Sequence, residues 1–139
     1  MEFRYGMLAD YAGIGQNNKL ILVGIFDGIN HQPNPATVIV APPFYLVGVF
    51  DAPTWEGSDH KITWRFQDED GNDHTPPGLP ELPMRFVPQG PGRPMRGHYV
   101  CAFQQFVLPH VGDFDFHFYV DGNPIGIVPF FVREAPAQP

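Results

Sequence analysis

The chain holds one cysteine, Cys101, one serine, Ser58, and two lysines, Lys19 and Lys61. A lone thiol cannot form an internal disulfide, which fits a reducing compartment. A single serine, in Gly57-Ser58-Asp59, supplies no nucleophile elbow. Charged residues are only 17% of the chain, against about a quarter in ordinary globular domains, while 43% are hydrophobic. That balance excludes a disordered, highly charged chain. The net charge is −7 and no Lys/Arg cluster occurs. The basic footprint that nucleic acid or an anionic bilayer requires is therefore missing. No apolar run approaches the ~18 residues of a membrane span, and the opening Met1-Glu2-Phe3-Arg4 lacks the basic-then-apolar pattern of a signal peptide. The expectation is a soluble, cytoplasmic protein without membrane insertion or nucleic-acid binding.

What the chain has in quantity is proline (17), glycine (15) and phenylalanine (13). Proline costs about 3 kcal/mol inside a helix, and no stretch keeps a helical period. Short runs between Gly/Pro breaks instead predict an all-β, two-layer antiparallel β-sandwich of about seven to nine strands. The first strand is expected over Glu2 to Ala12, with a turn at Gln16-Asn17-Asn18. Lys19 to Asp27 is apolar on both faces and is expected to lie centrally. A proline-bearing loop follows from Gly28 to Pro43, with Thr37 to Val40 as a possible short strand. Phe44 to Asp51 reads as another strand, and His60, Ile62, Trp64 and Phe66 alternate inward along the next. Leu82 to Val87 suits a sheet edge. Arg96 to Leu108 reads as one strand. Phe114, Phe116, Phe118 and Val120 form a second inward row, Asp121-Gly122-Asn123 a tight hairpin, and Ile125 to Arg133 the closing strand. Residues 1–134 are read as one sandwich domain and 135–139 as a flexible tail.

Candidate sites compete with plainer readings. Asp68-Glu69-Asp70-Gly71-Asn72-Asp73 resembles a calcium loop, but Gly71 falls fourth and Leu79 stands at the twelfth position. An acidic hairpin turn is the better reading, with a loose surface calcium site as its alternative. His31, His60, His74, His98, His110 and His117 lack zinc-ligand spacing. Cys101 lies in an apolar run, as a structural thiol would. Gly13-Ile14-Gly15 lacks the third glycine of a phosphate loop. The carboxylates Asp113, Asp115 and Asp121 flank one strand, and nothing places two of them across a cleft. No cofactor, metal or catalytic group is assigned. Trp55, in a loop, and His117 and Tyr119, on a polar strand face, could stack on sugars, although Trp55 is first expected to cap the core. Pro76, Pro77, Pro80 and Pro83, in the proline-rich arm His74 to Pro94, either bind a neighbour or shield the domain's own sheet edge.

The stretch Gly112-Asp113-Phe114 resembles the corner of immunoglobulin-like sandwiches, with Phe114 where those domains carry tyrosine. A wider resemblance covers Leu8 to Ala12, Asn18 to Leu20, Val23 to Asp27, Pro35-Ala36-Thr37, Tyr45-Leu46-Val47, Gly112 to Phe114, Val120 to Gly122 and Val128 to Phe130. These pieces are similar to a bacterial β-sandwich family of unknown function. The resemblance implies fold and no catalytic residues. The functional expectation is a non-enzymatic protein-interaction or structural module that binds a protein or itself. A carbohydrate- or small-ligand-binding sandwich and a phage or particle-surface subunit are the alternatives.

Overall fold

A computed structural model describes residues 1–31, 38–56, 59–78 and 82–135, with backbone alone for 82, 83 and 85. Its long strands are β1 (Glu2–Ile14), β2 (Leu20–Phe26), β5 (Phe44–Ala52), β6 (Asp59–Asp68), β9 (Met95–Phe103), β11 (Gly112–Val120) and β12 (Asn123–Glu134). Five short pieces complete the set: β3 (Gly28–His31), β4 (Ile39–Ala41), β7 (Leu82–Arg85), β8 (Val87–Pro88) and β10 (Phe106–Leu108). Two five-stranded sheets result, ordered β2-β1-β5-β9-β8 and β3-β12-β11-β6-β7, beside a β10-β4 ribbon. The seven long strands match the expected number, and the excess lies in edge and ribbon pieces. Among the described residues no helix is long and apolar enough to cross a membrane.

The period-two rows decide the layering. Ile62, Trp64 and Phe66 on β6 and Phe114, Phe116, Phe118 and Val120 on β11 are all buried. They meet Leu8, Phe44, Leu46, Phe50, Tyr99 and Phe103 of the facing sheet in one core cluster. The Trp64 indole N–H donates to the Tyr99 hydroxyl at 2.9 Å, a buried hydrogen bond between the two sheets. Phe3 lies over Gly126, where a Cβ would fall 2.3 Å from its ring. The β11–β12 hairpin turns through Asp121 (φ 49) and Gly122 (φ 86), both left-handed. That is the twist a two-residue hairpin loop needs.

Several expectations are corrected. The β2 strand lies at a sheet edge, not centrally. Both its faces are apolar because Leu20 and Leu22 pack, with Ala12, on a second small core of Val47, Val49, Met7, Tyr45 and Val100. The β1–β2 hairpin thus covers the outer surface of its own sheet. Gly24, at φ +68, lets the Asp10 carboxylate lie against its backbone at the bend. The sandwich is not wholly antiparallel either, since β3 pairs parallel with β12. The expected strand Arg96 to Leu108 is broken after Phe103, and its second half pairs with β4. The proline arm runs along the domain's own edges: β7 pairs with β6, and β8 with β9. Met84 of β7 and Phe86, between the two strands, enter the core. Proline at such edges leaves no ladder donor missing from a central strand. Pro80, Ser58, Pro35-Ala36-Thr37 and the tail 136–139 lie outside the described residues.

Candidate functional site

The three residues considered for sugar stacking lie on two elements, the loop after β5 and the β11 strand. Trp55 sits on a short 3-10 turn, Thr54–Glu56, and is 81% exposed instead of capping the core. It borders an open pocket of about 540 Å³ with Met1, Glu2, Asp51, Arg93 and Pro94. His117 and Tyr119 are half-buried on β11, paired with Arg65 and Thr63 of β6. They do not line the Trp55 pocket. Pro76 is half-buried, Pro77 is exposed, and Pro83 is opposite Lys61 on the β7 edge.

The acidic turn is tied up by its own backbone. Asp68 is buried at the end of β6, and its Oδ1 accepts the Asp70 and Asn72 amide N–H groups at 3.0 and 2.9 Å. Its Oδ2 accepts the His74 Nε2–H at 2.8 Å. That His74 bond, with the turn amides behind it, holds the Asp68 carboxyl far below the usual carboxylate range. The side chain that opens the supposed calcium loop is therefore a turn cap.

The chain after the turn folds back along β6. The His74 amide N–H donates to the Phe66 carbonyl at 2.7 Å, and the Thr75 hydroxyl accepts the Phe66 amide. This brings His74 against Asp68. His110 arrives from the other side, in the turn before β11, because β11 pairs with β6 so that Phe114 is opposite Asp68. Its Nε2 lies 3.6 Å from the same Asp68 Oδ2. Its Nδ1 lies 2.8 Å from the Val111 carbonyl, so Nδ1 carries the proton. That bond, then Asp68 and Glu69, raise the His110 pKa. The Phe114 ring lies beneath both imidazoles, 5.1 Å from His110 and 6.2 Å from His74. Sequence spacing hides this trio, since 42 positions separate Asp68 from His110; only the β6–β11 register brings them together.

The other notable surface is apolar. Tyr11, Ile21, Val23 and Ile25 of the β1–β2 hairpin are 50%, 49%, 57% and 62% exposed. Among the described residues no strand pairs with the outer edge of β2. Elsewhere, Cys101 is half-buried against the core, and burial pushes its thiol pKa up, as suits a structural thiol.

No curated protein matches the chain. A sequence profile does, over residues 4–133, and it spans both sheets, the hairpin and the Asp68–His110 cluster. The chain belongs to DUF6941, a family of unknown function.

Proposed function

We propose that the chain is a non-enzymatic interaction module of the cytoplasm, and that its β2 edge docks a second copy of itself. The observation behind this is the pattern of β2. Apolar side chains at alternate positions Ile21, Val23 and Ile25 stand in water along an open edge, the arrangement most prone to strand addition. The Gly15 amide donates to the Lys19 carbonyl at 2.7 Å. With that alternation, odd residues at the hairpin end of β2 bond to β1, and Leu20 and Leu22 offer their backbone groups outward as far as the Gly24 bend.

The sequence is also self-complementary about Val23. An antiparallel two-fold pairing centred there sets Val23 against Val23 and Ile21 against Ile25 of the second copy. Lys19 then faces the second copy's Asp27, so opposite charges close both ends. A hydrophobic centre with charged ends matches the usual anatomy of an interface. In size-exclusion chromatography with light scattering, the protein is expected at twice the 15.6 kDa chain mass, at roughly 50 µM. Val23→Lys is expected to elute as a folded monomer whose Tm no longer depends on protein concentration, because an exposed substitution itself moves stability by only about 0.5 kcal/mol and what is lost is the linkage to the second copy. A native protein that stays monomeric overturns the reading.

A second reading, sugar stacking, is carried by Trp55 alone, whose exposed ring borders a pocket with both charged and apolar walls. Binding is expected to shift its fluorescence in titrations with oligosaccharides. A flat signal across diverse sugars, or an equal response from Trp55→Ala, removes it.

A further inference from the structure

We propose that Asp68, His74 and His110 form a site for one divalent transition-metal ion of the zinc class. The site is remote in sequence from the β2 edge and does not depend on dimer formation.

Donor chemistry sets the class. Two imidazole nitrogens and one carboxylate oxygen suit zinc, cobalt or nickel, whereas calcium and magnesium call for six or more oxygens. Geometry supports it. One ligand atom from each residue lies within 4.8 Å of the other two. Bonds of about 2.0–2.1 Å at tetrahedral angles place neighbouring donors about 3.3 Å apart. The Asp68 Oδ2 separations of 2.8 Å to His74 and 3.6 Å to His110 bracket that value. Those two separations are within about 0.5 Å of the tetrahedral value, and the two imidazole donors, within 4.8 Å of each other, close on the ion by turning their rings.

The surroundings are arranged as around a metal-binding histidine. The Val111 carbonyl accepts the Nδ1–H of His110, which leaves Nε2, the ring atom facing Asp68, for the ion. The Phe114 ring fixes both imidazoles from below. The second Asp68 oxygen stays bound to the turn amides, so the carboxylate keeps its orientation when Oδ2 turns to the ion. On binding, His74 exchanges its hydrogen bond to Oδ2 for coordination through Nε2, and its ring proton moves to Nδ1 through solvent. Any proton held on His110 Nε2 leaves to solvent as the ion takes its place. The fourth position opens to water, because His110 is exposed, and Glu69 stands beside the same edge of Gly112. The ion would clip the end of β6, the returning 73–75 segment and the turn before β11 together.

The test uses the full chain, stripped with a chelator and titrated at pH 7.5 with zinc by calorimetry and with cobalt by visible absorption. Calcium and magnesium serve as controls. One saturable site is expected, with intense cobalt d–d bands, no response to calcium or magnesium, and a zinc-induced rise in Tm of roughly 5–10 °C at a hundredfold excess over Kd. His110→Ala, at an exposed ring, is expected to keep the fold, lose the cobalt bands and weaken zinc binding at least tenfold. His117→Ala is expected to change neither. Absence of one-to-one zinc binding overturns the proposal, and so does binding that His110→Ala leaves intact. His74→Ala also loosens the Asp68 turn, so the His110 variant decides.

Discussion

Truncation of Phe66 to alanine is expected to remove about 3–5 kcal/mol of stability, the cost of a large aromatic lost from a close-packed core. Phe66 is fully buried and touches rings from three other strands. It stacks on Phe114 at 4.8 Å, and it meets Phe116 at 4.7 Å, Phe106 at 4.9 Å and Phe130 at 6.1 Å. Those neighbours are themselves held by the β12–β11–β6 sheet and the ribbon, so they cannot collapse into the space. Domains of this size are stable by only about 5–15 kcal/mol, so the loss is a large share of the total. Urea unfolding is expected to show a much lower midpoint with an unchanged slope. Phe131, half-buried under the Arg133 guanidinium, is the matched control. Its truncation is expected to cost under about 1 kcal/mol. Equal losses at the two positions would mean that Phe66 does not lie between layers.

Tyr99→Phe is expected to cost about 1–3 kcal/mol, although it removes one oxygen and leaves the volume almost unchanged. The cost comes from the partner. The Trp64 indole N–H is buried and has the Tyr99 hydroxyl as its acceptor. Without that oxygen the donor is left unpaired away from water. Tyr119→Phe, at a half-buried phenol on the outer face of β11, is expected to be nearly neutral. A double-mutant cycle with Trp64→Phe is expected to be strongly non-additive, because once the indole is gone the hydroxyl has little left to satisfy. Additive losses in that cycle would separate the two side chains.

Period-two burial was plain in the residues themselves. Ile62/Trp64/Phe66 and Phe114/Phe116/Phe118 each alternate with polar neighbours, and both rows face the core. The Asp121-Gly122 turn was equally clear, because a two-residue loop demands left-handed backbone there. The β2 strand misled for a physical reason. An apolar strand is normally buried on both sides by the two flanking layers. Here the hairpin rolls over its own sheet, buries Leu20 and Leu22 in a second core and leaves Ile21, Val23 and Ile25 in water. The β3 strand is only four residues, Gly28–His31, and gains its place by parallel pairing with β12, which no local pattern encodes.

The Asp68–His74–His110 cluster escaped sequence reasoning for a related reason. Metal-ligand spacing rules recognise sites built on one turn or one helix. This one is built by register. The Asp68 cap bends the chain so that His74 returns to it, and the β6–β11 pairing delivers His110 from the far end of the sequence. Trp55 went the other way: a large ring is usually worth more buried, yet the Thr54–Glu56 turn holds it outside the sandwich.

The layered arrangement from which the other conclusions follow is tested most directly by nuclear Overhauser contacts in the isotope-labelled protein. Cross-strand contacts are expected between Phe66 and Phe116 and between Leu46 and Cys101, one pair from each sheet. Contacts from the Trp64 indole to the Tyr99 ring are expected to join the sheets. Absence of the Trp64–Tyr99 contacts, or strand registers shifted by one residue so that Phe66 and Phe116 face water, would contradict the account.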